Sequence, residues 1–485
     1  MNIYIDNHKF HYEIENLTKA FLPNEKLSVI PFEGVLLQPY IFTSYRDEIK
    51  VSVNANGFEK TLTKEIVKGQ DDELEMATLL YDILSEMQSV NLPWGLLTGV
   101  RPIKLFHKLV SQYGEEGAIS YFENELKVSK EKTALALSCE KAQRDILSLS
   151  KPNSFSLYIS IPFCPTRCNY CSFVSQSVEK AKHLVKDYLR LLCEEIKETA
   201  KIAKELSLDL QSVYIGGGTP TTLSAEQLKI LLDTVNENFD VSDCEFTVEA
   251  GRPDTVTKEK LACLKDCGVT RISINPQTLN DSVLEAIGRR HTTKQTLKAY
   301  SLAKEMGFEN INMDLIAGLT TDTLESFKDT VDKVIKLSPQ SITVHTLAIK
   351  RSANINDESL CIDKSSANVT KTMLDYAQKA LYDNGYVPYY LYRQSKMVGN
   401  LENVGWAREG FFSPYNVFIM DEVHTILGCG AGAVTKLKNP YSNHIERIFN
   451  FKYPYEYNDR YNELLTRKEK IKEFYSNILI TNKGE

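Results

Sequence analysis

No stretch of this 485-residue chain approaches the ~20 consecutive apolar residues that a membrane helix needs, so no membrane span is expected. The N-terminus, MNIYIDNHKFHYEI, lacks the apolar core of a signal peptide. The expected location is therefore cytoplasmic, where thiols stay reduced. There is no long basic block, and the formal net charge is −7, so nucleic acid is not expected as a partner. No short repeat of the solenoid kind is present. What remains is the composition of a soluble globular protein, 42% hydrophobic and 25% charged. A length of 485 residues suggests about two to four domains. Its 10 cysteines read better as ligands and small buried residues than as disulfides.

Cys164, Cys168 and Cys171 stand close together, in IPFCPTRCNYC. A [4Fe–4S] cluster ordinarily takes four Cys thiolates, so the spacing Cys-x3-Cys-x2-Cys leaves it one short. One loop would then hold three irons and leave the fourth open to a small molecule. Zinc is the main competitor, but its structural sites are closed by four ligands. No His follows at a ligand spacing, and the next cysteine is the distant Cys193. Three unrelated cysteines within eight residues exceed what chance gives for a chain with 10. Cys263 and Cys267, at i and i+4 of an expected helix, could share a metal on one face. Without a third neighbour, packing is the expected role for them and for Cys139, Cys193, Cys244, Cys361 and Cys429.

The chain divides into three parts. Residues 1–150 open with alternating apolar runs expected as strands: NIYI, HKFHYEI, EGVLLQPYIF and EIKVSVNA. They close with helices such as ELEMATLLYDILSEM and KEKTALALSCEKAQRDILSL, giving an α+β domain of unknown role. In LPWGLLTGVRP, Trp94, Gly95, Gly99, Arg101 and Pro102 read as a tight structural turn. Over 151–365 the rhythm becomes strand then helix. Strands are expected at 157–163, 212–217, 244–250, 270–275, 309–316 and 340–347, with helices at 178–206, 224–238, 257–267, 294–307 and 322–336. Right-handed crossovers then give a parallel sheet. Six units are fewer than the eight of a closed barrel, so the expected fold is α/β, a partial (β/α)6 barrel. Residues 366–485 form an expected α/β extension. It starts with the helix ANVTKTMLDYAQKALYDNG, continues through aromatic, Gly-rich sequence and ends in a charged helical tail.

In such barrels chemistry sits at the C-terminal strand ends, and the cysteine loop follows the first strand. Each later strand ends in polar residues or glycine. The second runs into Gly216, Gly217, Gly218, Thr219 and Pro220; the third into Glu249, Gly251, Arg252, Pro253 and Asp254. The fourth leads to Asn275, Pro276 and Gln277, then to Arg289, Arg290 and His291. The fifth carries Asp314 between Met313 and Leu315–Ile316, and the sixth His345, Thr346 and Ala348. Singly, each reads as a turn or a satisfied polar residue. Together, beside a cluster loop, they describe a ligand with an amine, a carboxylate, a ribose and a base.

On these motifs the chain resembles the radical S-adenosylmethionine enzymes, within them the oxygen-independent coproporphyrinogen III oxidase group, and most closely its HemZ-type branch. IPFCPTRCNYC, GGGTP and the later Gln, Arg and Asp carry the resemblance over about 154–350. GNLENVGW, ILGCGAGAVT and LLTGVRP add to it. The resemblance implies that Cys164, Cys168 and Cys171 ligate the cluster, with S-adenosylmethionine on the open iron. It implies that Gly217, Gly218 and Thr219 meet the methionine amine. Tyr158, Glu249, Gln277, Arg289, Asp314, Ile316 and Ala348 fall at its other cofactor contacts. Arg289 would pair with the carboxylate, Asp314 with a ribose hydroxyl, and Tyr170 would stack near the adenine.

The implied activity is that of a coproporphyrinogen dehydrogenase of haem biosynthesis. A low-potential electron cleaves the sulfonium bond, and the 5′-deoxyadenosyl radical takes a hydrogen from a propionate β-carbon. Loss of carbon dioxide and one electron leaves a vinyl group; two such events turn coproporphyrinogen III into protoporphyrinogen IX. A tetrapyrrole, an electron donor and an electron acceptor, both unidentified, are the implied partners. Arg167, Arg252 and Arg393 are candidate clamps for the propionates, with an ordinary surface charge as the expected role of each. Two departures stand out. The established oxidases carry a further Cys two positions after the third ligand, where this chain has Phe173, as haem-chaperone relatives have an aromatic. The chaperones' His-Asn-x-x-Tyr-Trp-like element is here Gly399-Asn400-Leu401-Glu402-Asn403-Val404-Gly405-Trp406, without the His. His424 is nearby in sequence and reads as a packed residue. A haem chaperone, or another tetrapyrrole-modifying radical enzyme such as a methylase or ring-opening enzyme, is the alternative.

Overall fold

A computed structural model describes residues 1–171, 175–348, 364–394 and 400–481, with side chains left out at 364–366 and 479–481. It contains two compact units. One comprises Met1–Glu140, Asp357–Lys371 and Tyr392–Glu402; the other comprises Lys141–Asn356, Thr372–Leu391 and Asn403–Glu485.

The first unit holds strands β1 (Asn2–Asp6), β2 (Ser28–Pro31), β3 (Tyr40–Tyr45), β4 (Glu48–Ala55) and β5 (Phe58–Glu65), in the order β2-β1-β3-β4-β5. Strand alternation turns Ile49, Val51 and Val53 of β4 to one face, where they are buried in a core with Met76, Leu80 and Leu84 of the helix Asp72–Gln88. The segment HKFHYEI, expected as a strand, instead enters the helix His11–Phe21. Ile14, Leu17, Thr18 and Phe21 recur at helical spacing and are buried, and that longer period overrides the short alternation before it. β2 and β5 were not expected. β5, FEKTLTKE, is an edge strand whose exposed alternate residues, Glu59, Thr61, Thr63 and Glu65, are all polar.

The expected turn in LPWGLLTGVRP is tight. Gly95 has φ +53°, and a Cβ there would stand 2.0 Å from the Leu126 carbonyl oxygen. Trp94 is 1% exposed and donates its Nε1–H to Glu402 at 2.8 Å. Lys132 Nζ reaches the other Glu402 oxygen at 2.5 Å. Arg393 donates to the carbonyls of Leu97 (2.5 Å) and Asn400 (3.0 Å), so its guanidinium is engaged by backbone.

The second unit is built on eleven strands, counted among the described residues. Six of them, β6 (Ser154–Ile161), β9 (Asp209–Gly217), β10 (Glu245–Glu249), β11 (Arg271–Ser273), β12 (Asn310–Ala317) and β13 (Ser341–Thr346), are parallel neighbours in chain order. Helices Val178–Glu205, Ala225–Asn238, Lys258–Asp266, Thr293–Glu305 and Leu324–Leu337 alternate with them. The fold is thus the partial (β/α)6 barrel. Period-two alternation separates its faces. Phe246, Val248, Ile272, Ile311, Met313, Ile342 and Val344 are fully buried on one side. Glu245, Glu249, Arg271, Ser273, Asn312, Asp314, Thr343 and His345 line the other.

The remaining strands come from the tail. β15 (Asn403–Ala407) pairs antiparallel with β13 and lies beside β14 (Val387–Tyr392). β16 (Thr425–Cys429) pairs parallel with β6, and β17 (Val434–Lys438) and β18 (Ile445–Phe449) extend that side. Both edges of the open barrel are therefore covered. At the loop of interest, β7 (Phe163–Cys164) pairs with β8 (Gln176–Ser177) and closes its base.

Candidate functional site

The cysteine loop lies beyond the C-terminal end of β6 and is tied to three neighbouring segments. Gly218 N–H donates to the Ile161 carbonyl at 2.8 Å, and Thr219 N–H to the Phe163 carbonyl at 2.7 Å. A Cβ on Gly218 would stand 2.6 Å from the Phe163 oxygen; on Gly217, where φ is +107°, it would stand 2.8 Å from Ser160 Oγ. The glycines thus let this turn lie flush against the loop's first residues. Thr219 Oγ1 then reaches Cys164 Sγ at 3.5 Å. On the far side, Asn169 N–H donates to the Ile287 carbonyl (3.0 Å) and Asn169 Nδ2 to the Ala286 carbonyl (3.2 Å). From the end of β10, Arg252 Nη1 donates to the Thr166 carbonyl (3.2 Å) and hydroxyl (3.0 Å).

Cys168 is buried, whereas Cys164 and Cys171 are half-buried. Burial pushes the Cys164 thiol up against the opposing pull of Ser175, Thr219 and Arg252. Among the described residues no three His, Cys, Asp or Glu side chains converge closely enough to hold a single metal ion. A four-iron cluster asks for something wider, since each thiolate takes a different iron. Three thiols on one anchored loop, with a buried cation beside Cys168, fit such a cluster.

That cation is Arg289. Its Nη1 donates to the carbonyls of Asn275 (2.7 Å) and Gly251 (3.3 Å), while its Nε is buried without a partner. Its burial opposes charge, but Tyr170 and Cys168 beside it outweigh that and hold it protonated. Burial also pushes the Tyr170 phenol up. Arg290, one residue on, is exposed and stands 3.8 Å from the exposed Glu179. The one-residue offset thus separates a buried arginine beside the cysteine loop from a surface charge.

Deeper in the barrel, Tyr214 OH donates to Glu249 at 2.5 Å. Tyr214 stacks on Tyr415 at 4.4 Å, and Tyr158 lies parallel to both, 6.3 Å from the first and 6.4 Å from the second. Burial raises the Glu249 carboxyl from 4.5 to about 7, Asp314 adds to the rise, and the Tyr214 bond opposes it. Burial, then Glu249, push the Tyr158 phenol up. Asp314 is held below its ordinary value: burial works against that, and His345 and Asn312 prevail. His345 Nε2 stands 3.8 Å away, and Asn312 Nδ2 donates at 2.7 Å. Gln277, a non-glycine residue at φ +67°, is hydrogen-bonded between Asp314 and Ile316: its N–H goes to the Asp314 carbonyl (2.9 Å), and its carbonyl accepts from Ile316 N–H (3.0 Å). Ala348 is half-buried just beyond β13.

The structure therefore groups Cys168, Tyr170 and Arg289; Cys164 and Thr219; Glu249 with Tyr158 through Tyr214; and Asp314, Gln277 and Ile316. Tyr214 and Asn312 were not singled out, although alternation from Gly216 and Asp314 places both on the inner face. Tyr415 reaches the stack from the helix Pro414–Asp421, in sequence with no periodic signal toward the barrel.

Residues 158–334 match the Radical SAM superfamily. The oxygen-independent coproporphyrinogen-III oxidase-like protein HemZ of Bacillus subtilis (strain 168) is 35% identical over 486 residues, covering 97% of each chain. The chain belongs to the HemZ-type branch of the radical S-adenosylmethionine superfamily. The superfamily's cofactors are a [4Fe–4S] cluster and S-adenosylmethionine. The heme chaperone HemW of the same organism is 41% identical over 197 residues, 40% of this chain and 51% of that protein. The solved coproporphyrinogen III oxidase HemN from Escherichia coli superposes with a TM-score of 0.51 at 24% identity, over 67% of this chain and 73% of that one, which shows a shared fold. Homologues in this group thus carry both oxidase and chaperone names.

Two features that bear on the choice within the superfamily, Phe173 and Gly399, lie outside the described residues. His424 is 4% exposed, and both its ring nitrogens are engaged, Nε2 with Ser156 Oγ at 2.8 Å and Nδ1 with Ser150 Oγ at 3.2 Å. Burial lowers it to about 3, so it is a neutral packed residue. Cys263 and Cys267 are likewise packed, donating to the Ala225 carbonyl (3.4 Å) and to Asp233 (3.9 Å). No helix among the described residues is long and apolar enough to cross a membrane.

Proposed function

We propose that this chain carries out the oxygen-independent oxidative decarboxylation of coproporphyrinogen III to protoporphyrinogen IX. The observation that carries the reading is the placement, at one end of one parallel sheet, of an anchored three-cysteine loop, a buried arginine with an unpaired Nε, and a polar barrel interior. When bound, the cluster and S-adenosylmethionine supply the 5′-deoxyadenosyl radical. In this reading Cys164, Cys168 and Cys171 hold the cluster, and Arg289 pairs with the methionine carboxylate through donors that its backbone bonds leave over. Gly217, Gly218 and Thr219 border the amine. Asp314, kept ionised by His345 and Asn312, accepts from a ribose hydroxyl. Gln277, Ile316 and Ala348 present backbone and apolar surface alongside, and Tyr158, Tyr170 and Glu249 wall the chamber from water. The relative that matches over nearly the full length bears an oxidase-like name. His424, the histidine nearest the altered chaperone element, is committed to packing.

The second reading is a haem chaperone, favoured by Phe173 and by the 41% identity to HemW. Anaerobic incubation with reductant, S-adenosylmethionine and coproporphyrinogen III, followed by mass spectrometry, separates the two. The expected product has lost two carboxyl groups, with 5′-deoxyadenosine formed alongside. Cofactor cleavage without that product, joined to tight stoichiometric haem binding, would replace the oxidase reading with the chaperone one.

A further inference from the structure

Arg252 is not among the residues that the resemblance assigns to the cofactors, and as a candidate propionate clamp it would need free donors. It has few. Nε and Nη2 donate to the two oxygens of Asp254 (3.0 and 3.1 Å), and Nη1 donates twice to Thr166, so four of its five N–H groups are used. It is 3% exposed. Its own carbonyl accepts from Thr255 Oγ1 at 2.7 Å, and Thr255 Oγ1 lies 2.6 Å from Thr221 Oγ1, in the turn that follows the glycines. Thr166 Oγ1 reaches on to the Gly288 carbonyl at 3.4 Å. A continuous belt thus runs from the glycine turn through Arg252 to the cysteine loop and on to the segment leading into Arg289.

We propose that Arg252 is a positioning residue that clamps the cysteine loop to the strand ends and sets a buried positive charge beside the cluster the loop holds. The proposal rests on the cluster reading above. Asp254 is the more exposed of the ion pair, 21% against 4% for the arginine side chain, so solvent screens the negative partner more than the positive one. Thr166, which the guanidinium grips, lies in the loop between Cys164 and Cys168, so the charge is held against that loop. His291, nearby and 2% exposed, adds no charge: burial, then Arg289 and Arg252, lower it to about 3. A desolvated cation beside a cluster favours its reduced, more negative state.

Two quantities test this on anaerobically reconstituted full-length protein without S-adenosylmethionine: the rate of iron release to a chelator, and the midpoint potential from a dithionite titration followed by electron paramagnetic resonance. Arg252→Gln should release iron on the order of tenfold faster, as loss of an outer-shell partner does, and its potential should move negative. Arg252→Lys keeps the charge but not the fork. It should also release iron faster, with a potential near that of the unaltered protein. If Arg252→Gln takes up no cluster, Asp254→Asn carries the test: with the counter-charge gone, the potential should move positive. Unchanged release and potential in Arg252→Gln, or an unchanged potential in Asp254→Asn, overturns the proposal. If the unaltered protein itself takes up no iron and sulfide, the cluster reading falls first and this one with it.

Discussion

Two buried polar regions of the second unit differ in how completely their groups are satisfied. Around Glu195, 0% exposed, one carboxylate oxygen accepts from Gly430 N–H (2.7 Å) and Tyr457 OH (2.6 Å); the other accepts from Asn450 Nδ2 (2.8 Å) and faces Lys468 Nζ at 3.0 Å. Lys468 also donates to the Gly428 carbonyl at 3.0 Å. Gly430 belongs to ILGCGAGAVT, and a Cβ there would meet the Ser160 oxygen at 2.5 Å. Around the cysteine loop, by contrast, Arg289 Nε and both nitrogens of His291 are buried without partners. The Glu195 carboxylate, partnered on both oxygens, needs nothing more and serves as a brace, although the Tyr461 hydroxyl beside it is buried without a partner. An incomplete network beside three thiols is where a missing ligand belongs.

The contrast can be broken or sharpened experimentally. The largest effect is expected from replacing Cys164, Cys168 and Cys171 together by Ala: bound iron and S-adenosylmethionine cleavage should vanish, whereas Cys263→Ala keeps its iron, as elemental and sulfide analysis would read. Next comes the brace. Lys468→Met strands the Glu195 charge and should lower stability by ~3–5 kcal/mol in urea unfolding, with iron per folded chain unchanged. Third, Arg289→Ala should weaken S-adenosylmethionine binding by ~1.5–3 kcal/mol in anaerobic calorimetry, and Arg290→Ala should not. Equal effects of the two would remove Arg289 from the site. The smallest effect is on pH dependence. Glu249 is raised from 4.5 to about 7, so the folded protein keeps its proton where the unfolded chain has lost it. Its contribution to stability is present below pH 4.5 and is lost as pH rises through about 7. Glu249→Gln should flatten that slope in denaturation curves taken across the window.

The barrel was legible because its helices and buried strands carry strong periods: Val178–Glu205 was expected at 178–206, and Asn310–Ala317 at 309–316. The edges were not. The short TILGC and VPYYLY strands of the tail have no alternation to mark them, and HKFHYEI had one that meant nothing. At the site, the residues fixed by linear spacing stood out, namely the cysteines, the glycine turn and Arg289. The tie of Arg252 to the cysteine loop did not, although Arg252 itself was named as a candidate clamp, nor did Tyr415 and the Glu195 brace, because each acts across more than 80 residues of chain, on Thr166, Tyr214 and Asn450. Nothing local in the sequence marks such pairs.

The pairing of β16 with β6 and of β15 with β13 bears on whether the chain can be divided. A fragment cut to residues 158–334, the stretch that matches the superfamily, would lose β13 from one flank and β16 from the other. Bare rows of backbone donors and acceptors would then face water on β12 and on what is left of β6, and other copies of the fragment could add to them strand by strand. It would also lack Lys468, Asn450 and Tyr457, leaving Glu195 a buried charge with no partner from the tail. A fragment limited to the stretch that matches the superfamily is therefore expected to aggregate, and one extended to include the C-terminal strands and helix that flank the barrel is expected to stay in solution.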